Sequence, residues 1–253
     1  IDNISKGGNI ILNKDDKFYN FLSKKAKKNN INVISFGLKK KADIFLQEIK
    51  KVKNLYRLKV NVRKKIFYFN IKNSTNSFIS NILACIGALS ILKLDLKNLK
   101  NKFTNFNIPS GRGDIKVINK FKKKFMFIDE SYNANPLSMY SAIQNMDHYK
   151  KKENSKKLIL LGDMLELGKK TRRFHKELAF VINRSGIDKV FVYGKYIKET
   201  FNYLVKNKKG KIFSNLAEAN EHISKIIKNN DLLMIKGSNA TGLNQFSKSI
   251  KKG

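Results

Sequence analysis

Tryptophan is absent from the 253 residues, cysteine occurs once, at Cys85, and proline twice, at Pro109 and Pro136. A single cysteine excludes an internal disulfide and argues against the small, disulfide-stapled secreted class; it fits a cytoplasmic protein. No apolar run approaches the roughly 20 residues that a membrane-spanning helix needs. The opening Ile1-Asp2-Asn3-Ile4-Ser5-Lys6 has neither an initiator Met nor the shape of a signal peptide. The expectation is a chain that begins inside a domain of a longer protein.

Acidic residues are the other shortage. Only 19 Asp and Glu accompany 53 Lys and Arg, for a formal net charge of +34. An excess of this size suits a nucleic-acid ligand, because clustered cations neutralise phosphates and release counterions. The pattern argues otherwise. Arg occurs only at positions 57, 63, 112, 172, 173 and 184, and the Lys residues are spread along the whole length. No zinc-finger spacing, RNP-like aromatic motif or Arg-rich arm is present. Drift of surface positions toward Lys, Asn and Ile explains the charge better. Nucleic acid is not the expected partner, and a basic binding module is kept as the alternative from another class.

What is present is ample material for a core: 42% of the residues are hydrophobic, enough for one large domain or two ordinary ones. Short apolar runs at 9–12 and 33–36 flank a segment opened by Asn13-Lys14-Asp15-Asp16, which reads as a turn into an Asp-capped helix. Residues 43–71 alternate with period two and predict an antiparallel hairpin turning near 63–65. Residues 77–93 carry Ile79, Ile82, Leu83, Ile86 and Leu89 on one helical face, and a shorter helix is expected over 95–103. Ile108-Pro109-Ser110-Gly111-Arg112-Gly113-Asp114 combines a proline with two glycines and marks a boundary. The expected domains are 1–107 and 115–253, joined by a linker at 108–114. Beyond it, strands at 114–118, 124–128, 158–161, 189–193, 211–213 and 232–235 are expected. Helices at 136–149, 171–185, 197–205, 216–228 and from 241 alternate with them. That order predicts an α/β domain whose mostly parallel sheet is covered on both faces.

The most varied stretch is Ile128-Asp129-Glu130-Ser131-Tyr132-Asn133-Ala134-Asn135-Pro136-Leu137-Ser138-Met139. It ends a strand with two carboxylates, adds a hydroxyl, a phenol and two amides, and opens a helix at Pro136. Open α/β sheets bind ligands at such strand-to-helix turns. Gly111-Arg112-Gly113 offers close backbone approach and a guanidinium fork for phosphate oxygens, or is a linker with a surface cation. Leu161-Gly162-Asp163-Met164-Leu165-Glu166-Leu167-Gly168 sets two acids and two glycines after a strand. These face a ligand, or place negative charge at a helix start beside Lys169 and Lys170. Gly168-Lys169-Lys170-Thr171 is no phosphate-binding loop, because Asp163 stands where that motif needs its first glycine. Lys236-Gly237-Ser238-Asn239 ends another apolar strand; it suits a carboxylate or phosphate, or caps a helix through Ser238 or Asn239. The three histidines, His148, His175 and His222, lack metal-ligand spacing. His175, early in a helix near the 161–168 loop, is the candidate site residue. His148 and His222 read as surface or capping residues.

Taken in order, Gly111-Arg112-Gly113, the 129–139 run with its Tyr132-Asn133-Ala134-Asn135-Pro136, the 161–168 loop, His175 and Lys236-Gly237-Ser238 resemble the Mur ligases of peptidoglycan synthesis. The match is to the type that adds D-alanyl-D-alanine to UDP-N-acetylmuramoyl-tripeptide. The resemblance covers 108–240. It is weaker upstream, where Asn13-Lys14-Asp15-Asp16 and Asn81-Ile82-Leu83-Ala84 are similar to the late part of the family's ATPase domain. Ser77 and Phe78 stand where the family usually has a His-Asn pair, which leaves Asn81 as the carry-over on the adenine side.

The resemblance implies the tail of a Mur-type ATP-binding domain followed by a Rossmann-like ligase domain, in a cytoplasmic, monomeric amide ligase that uses ATP and Mg2+. ATP phosphorylates the tripeptide carboxylate, the amine of D-alanyl-D-alanine attacks the acyl phosphate, and phosphate leaves. Implied nucleotide contacts are Asn81, Arg112 and Asp129. Implied catalytic residues are Asp129, Glu130, His175 and Lys236. Implied substrate contacts are Asn133, Asn135 and Ser138, lining a cleft between domains, with Asp163, Glu166 and Ser238. The P-loop, the Mg2+-binding acids and a modified lysine are expected upstream of Ile1, so no metal ligand is assigned here and residues 1–253 alone are expected not to turn over ATP. Another Mur ligase or a folylpolyglutamate-type ligase is the alternative within the class.

Overall fold

The structure, a computed structural model, describes residues 1–39, 41–106 and 109–252. It divides into two compact units, Ile1–Asn107 and Ile108–Gly253. Ile108, where the expected linker begins, lies outside the described residues.

The first unit runs β1 (Asn9–Asn13), α1 (Tyr19–Lys28), β2 (Asn32–Gly37), β3 (Ile44–Val52), β4 (Leu55–Val62), β5 (Lys65–Ile71) and α2 (Asn76–Ile91). Its sheet follows chain order. β1, β2 and β3 are parallel, and β3, β4 and β5 form an antiparallel meander, so a third strand joins the expected hairpin. The β4–β5 turn holds Arg63 and Lys64 both at positive φ, 47° and 71°, the two-residue geometry that matches strand twist. The amide N–H of Lys64 donates to Asn61 Oδ1 at 3.0 Å and closes it. Period-two alternation aims Leu58, Val60, Val62, Phe69 and Ile71 at one face, where Ile79, Ile82, Leu83 and Ile86 of α2 cover them.

Two local expectations are corrected. Asp15 is not a helix cap: α1 starts at Tyr19 behind Phe18, without a side-chain cap. The Asp15 carboxylate instead accepts the N–H groups of Leu38 and Lys39, tying the exits of β1 and β2 together. Residues 95–103 form no α-helix but belong to two 3-10 turns, Leu96–Leu99 and Lys102–Asn105. The three-residue spacing of Leu96 and Leu99 suits either helix type, and Leu96 and Phe103 alone bury well there.

The second unit runs β6 (Asp114–Lys120), β7 (Lys123–Glu130), α3 (Pro136–His148), β8 (Lys157–Gly162), α4 (Thr171–Asn183), β9 (Lys189–Tyr193), α5 (Lys198–Asn202), β10 (Lys209–Phe213), α6 (Leu216–Ile226), β11 (Leu232–Lys236) and α7 (Leu243–Lys251). The sheet order is β10-β9-β8-β11-β7-β6. Only the β6–β7 pair is antiparallel. The central strands β8 and β11 are buried at every position and apolar through most of their length, as a sheet covered on both faces demands. Ile128, Ile159, Leu161, Leu232 and Met234 pack toward α3 and α4. Phe127, Leu158, Leu160, Leu233 and Ile235 pack toward α6 and α7. Chain order reverses at β11, which returns between β7 and β8. Their carboxyl ends are therefore level: Lys236 is in register with Glu130 on one side and Leu161 on the other.

Candidate functional site

The carboxyl ends of β7, β11 and β8 bring most of the singled-out residues of the second unit together. Gly162 and Gly237 make this edge compact. A Cβ on Gly162 would lie 2.5 Å from Leu243 Cδ1, and one on Gly237 would lie 2.7 Å from the same atom. Leu243 at the start of α7 is thereby seated over the strand ends.

Lys236 is the buried cation of the edge. Its side chain is 2% exposed, and Nζ lies 3.2 Å from Glu130 Oε2 and donates to the Asn133 carbonyl at 3.1 Å. Burial pushes its ammonium below the ordinary value, and Glu130 opposes that push. Glu130 is half-buried and keeps water access. A desolvated ammonium with a hydrated carboxylate neighbour is suited to hold an anionic group that replaces some of that water.

Asp129 faces inward. It is 1% exposed. Its Oδ1 accepts the N–H and hydroxyl of Ser131, and its Oδ2 pairs with Lys251. Burial alone would raise this carboxyl, but the hydrogen bonds from Lys251 and Ser131 overcome it and hold the group below its ordinary value. With both oxygens engaged, Asp129 is an anchor behind the edge. Lys251, a residue the sequence reading missed, carries this anchor; its partners are more than a hundred residues away in sequence.

The loop before β6 folds against the end of β7. Gly111 (φ 82°) and Gly113 (φ 92°) adopt the left-handed conformation that glycine tolerates best. The Gly113 N–H donates to the Asp129 carbonyl at 2.7 Å, and the Tyr132 N–H to the Gly111 carbonyl at 3.0 Å. Between the glycines, the exposed Arg112 lays its guanidinium 4.2 Å from the Tyr132 ring centroid, a cation–π arrangement.

Several of the expected site residues make hydrogen bonds within the fold. Asn135 caps α3: its Oδ1 accepts the Ser138 N–H, while the Ser138 hydroxyl accepts the Asn135 N–H, a reciprocal capping box. Asp163 is buried and its carboxylate accepts the N–H groups of Lys195, Tyr196 and Ile197, so it braces the loop after β9. His175 is fully buried. Its Nε2 accepts the Met164 N–H at 3.0 Å, and Nδ1 donates to the Thr171 carbonyl at 2.7 Å. Both ring nitrogens are occupied, and burial lowers the pKa. The ring is a neutral brace for the 162–168 loop, not an available acid or base. His148 fits the surface reading, bonding the Gln144 carbonyl, whereas His222 packs against Phe191 and Phe213.

Ser238 stands at the N-cap of the 3-10 turn Asn239–Thr241, but its side chain does not cap it. Its hydroxyl accepts the Leu165 N–H and donates to the Ala134 carbonyl, joining the loops after β8 and β7 across β11. Beside it opens a cleft of about 680 Å³ whose lining includes Tyr132, Asn133, Glu166, Ser238 and Gln245. Glu166 is exposed there and sits at φ 62°, an uncommon conformation for a non-glycine residue. Asn81 is exposed on α2 of the first unit. Among the described residues no group of three His, Cys, Asp or Glu is placed to hold a metal ion, and no helix is long and apolar enough to cross a membrane.

Two family descriptions match the chain in succession: the Mur ligase middle domain over residues 1–89, and the glutamate ligase domain of Mur ligases over residues 115–239. The chain belongs to the Mur ligase family. Its α/β architecture agrees: it superimposes on the MurF ligase of Thermotoga maritima, solved in complex with ADP, with a TM-score of 0.72 at 20% identity over 98% of this chain and 55% of that one. It is 29% identical over 245 residues to the UDP-N-acetylmuramoyl-tripeptide–D-alanyl-D-alanine ligase of Rickettsia prowazekii, covering 96% of this chain and 53% of the relative. It is 30% identical over 234 residues to the protein of the same name from Buchnera aphidicola subsp. Baizongia pistaciae, covering 92% and 48%. The chain thus spans about half the length of the curated relatives it matches.

Proposed function

We propose that the protein to which this chain belongs is the ATP-dependent ligase that joins D-alanyl-D-alanine to UDP-N-acetylmuramoyl-tripeptide. The observation that carries the reading is the carboxyl edge of the second unit. There the Tyr132-Asn133-Ala134-Asn135-Pro136 turn, Arg112 and the buried Lys236 converge beside an open cleft. The relatives named above carry that activity in their names, and the Thermotoga maritima ligase holds ADP.

The donor set favours anions. Lys236 and Arg112 are cations aimed at or near this edge, and no acid other than Glu130 offsets Lys236 directly. When bound, ATP supplies the phosphoryl group that activates the tripeptide carboxylate as an acyl phosphate. In this reading Lys236 holds phosphoryl or carboxylate oxygens, and the exposed guanidinium of Arg112 meets phosphate. Asn133, Glu166 and Ser238 border the cleft on the side available to an incoming amine. Asn81 is kept as the adenine-side contact. No metal ligand is assigned among the described residues, and no step is assigned to Mg2+.

The test is ADP release by the full-length protein with the UDP-linked tripeptide as acceptor. D-alanyl-D-alanine is expected to support release, and single amino acids are not. Release with glutamate or diaminopimelate but not with the dipeptide would move the protein to another ligase of the superfamily.

A further inference from the structure

The Lys251 ammonium meets three acceptors from two separate segments. It donates to Ser110 Oγ at 2.8 Å and to Asp114 Oδ2 at 3.1 Å, and it pairs with the buried Asp129. Its side chain is 12% exposed, that of Asp114 14% and that of Asp129 2%. Asp114 is also tied inward, since its Oδ1 accepts the Gly111 N–H at 2.9 Å. The last turn of α7 therefore holds both ends of the short loop that presents Arg112. Ser247, one turn earlier, is fully buried and lies near enough to help stabilise the Asp129 carboxylate, although its hydroxyl makes no hydrogen bond of normal geometry.

From this geometry we infer that Lys251 is a positioning residue, which fixes the 110–114 loop and thereby the direction from which Arg112 meets an anionic ligand. An ammonium has three protons in a roughly tetrahedral spread, and here each has its own oxygen. Removing it leaves a buried carboxylate without its counter-charge and frees Ser110 and Asp114 together. The two left-handed glycines then lose the constraint that offsets their backbone entropy. The consequence for nucleotide use rests on the function proposed above; the consequence for the loop does not.

The experiment compares full-length wild type, K251M, K251R and the double variant D129N/K251M by hydrogen exchange and by steady-state kinetics. K251M is expected to speed exchange of the Gly111 and Gly113 amides about tenfold or more while β8 and β9 stay protected. ATP KM is expected to rise about tenfold with kcat within about threefold, a loss of ground-state binding. K251R restores most of both. D129N/K251M removes the stranded charge, so it recovers stability, yet it keeps the loose loop. Unchanged exchange at Gly111 and Gly113 in K251M overturns the inference, as does faster exchange spread evenly through the sheet. A loosened loop in a protein without ligase activity leaves the inference standing and removes the proposed function.

Discussion

Lys236 and Glu130 are register partners on adjacent parallel strands, and they meet at 3.2 Å with the lysine almost wholly buried and the glutamate partly in water. The asymmetry assigns the roles. Lys236 is the group whose charge is costly to hold and informative to lose. K236M in the full-length protein is expected to lower kcat/KM by about 100-fold or more, in the range seen when a preorganised transition-state donor is removed. Stability should change by less than about 2 kcal/mol, because Glu130 can hydrate when its partner goes. A near-normal kcat/KM in K236M contradicts the assignment.

Lys236 also sets an alkaline expectation. Its folded pKa lies below the ordinary 10.5, so in the window between the two values the unfolded chain holds more protons. Its contribution to stability therefore rises with pH there, while the charged form needed to hold an anion is lost. Activity should fall at a pH where the fold is intact. A pH–rate profile paired with a thermal-shift series checks this, and an alkaline limb that tracks unfolding would refute it.

Asp129 predicts the acid side. Its folded pKa lies below the ordinary 3.8, so its stabilisation is complete above that value and is lost as pH falls through the folded one. D129N should flatten the stability curve below about pH 4 relative to wild type. Denaturant titrations at several acidic pH values measure it; parallel curves for the two proteins would count against the buried ion pair.

His175 should titrate below 6.5, its ordinary value, because burial disfavours the imidazolium. Its stabilising effect is present above 6.5 and lost as pH falls through the lowered value. Ring-proton chemical shifts followed against pH report it directly. A pKa at or above 6.5 would contradict the burial of the ring.

The capping box makes a different demand. N135A should cost about 1 kcal/mol, the usual worth of an N-cap, whereas N135D should keep both the cap and the activity. A large rise in substrate KM for N135D would restore Asn135 as a contact.

The architecture was legible where periodicity is strong. The period-two run within 43–71, the continuous apolar run at 158–161 and the helical face at 77–93 all appear, because apolar patterning is what burial selects. The 95–103 segment was misread because a spacing of three serves a 3-10 turn as well as a helix. At the site, chemistry-bearing residues were visible but their orientation was not. Asp163 and His175 look like ligands in a sequence, yet their partners are backbone groups of loops that only the fold brings near. Lys251 was hidden for the opposite reason: in a chain with 53 Lys and Arg, nothing local separates it from a solvated surface cation.

The most direct test of the proposed chemistry uses UDP-linked tripeptide whose terminal carboxylate carries oxygen-18 at both oxygens. If the full-length protein activates that carboxylate as an acyl phosphate, one labelled oxygen must appear in inorganic phosphate for each amide bond formed with D-alanyl-D-alanine. Amide formation with unlabelled phosphate, or ADP release without amide formation, would contradict it.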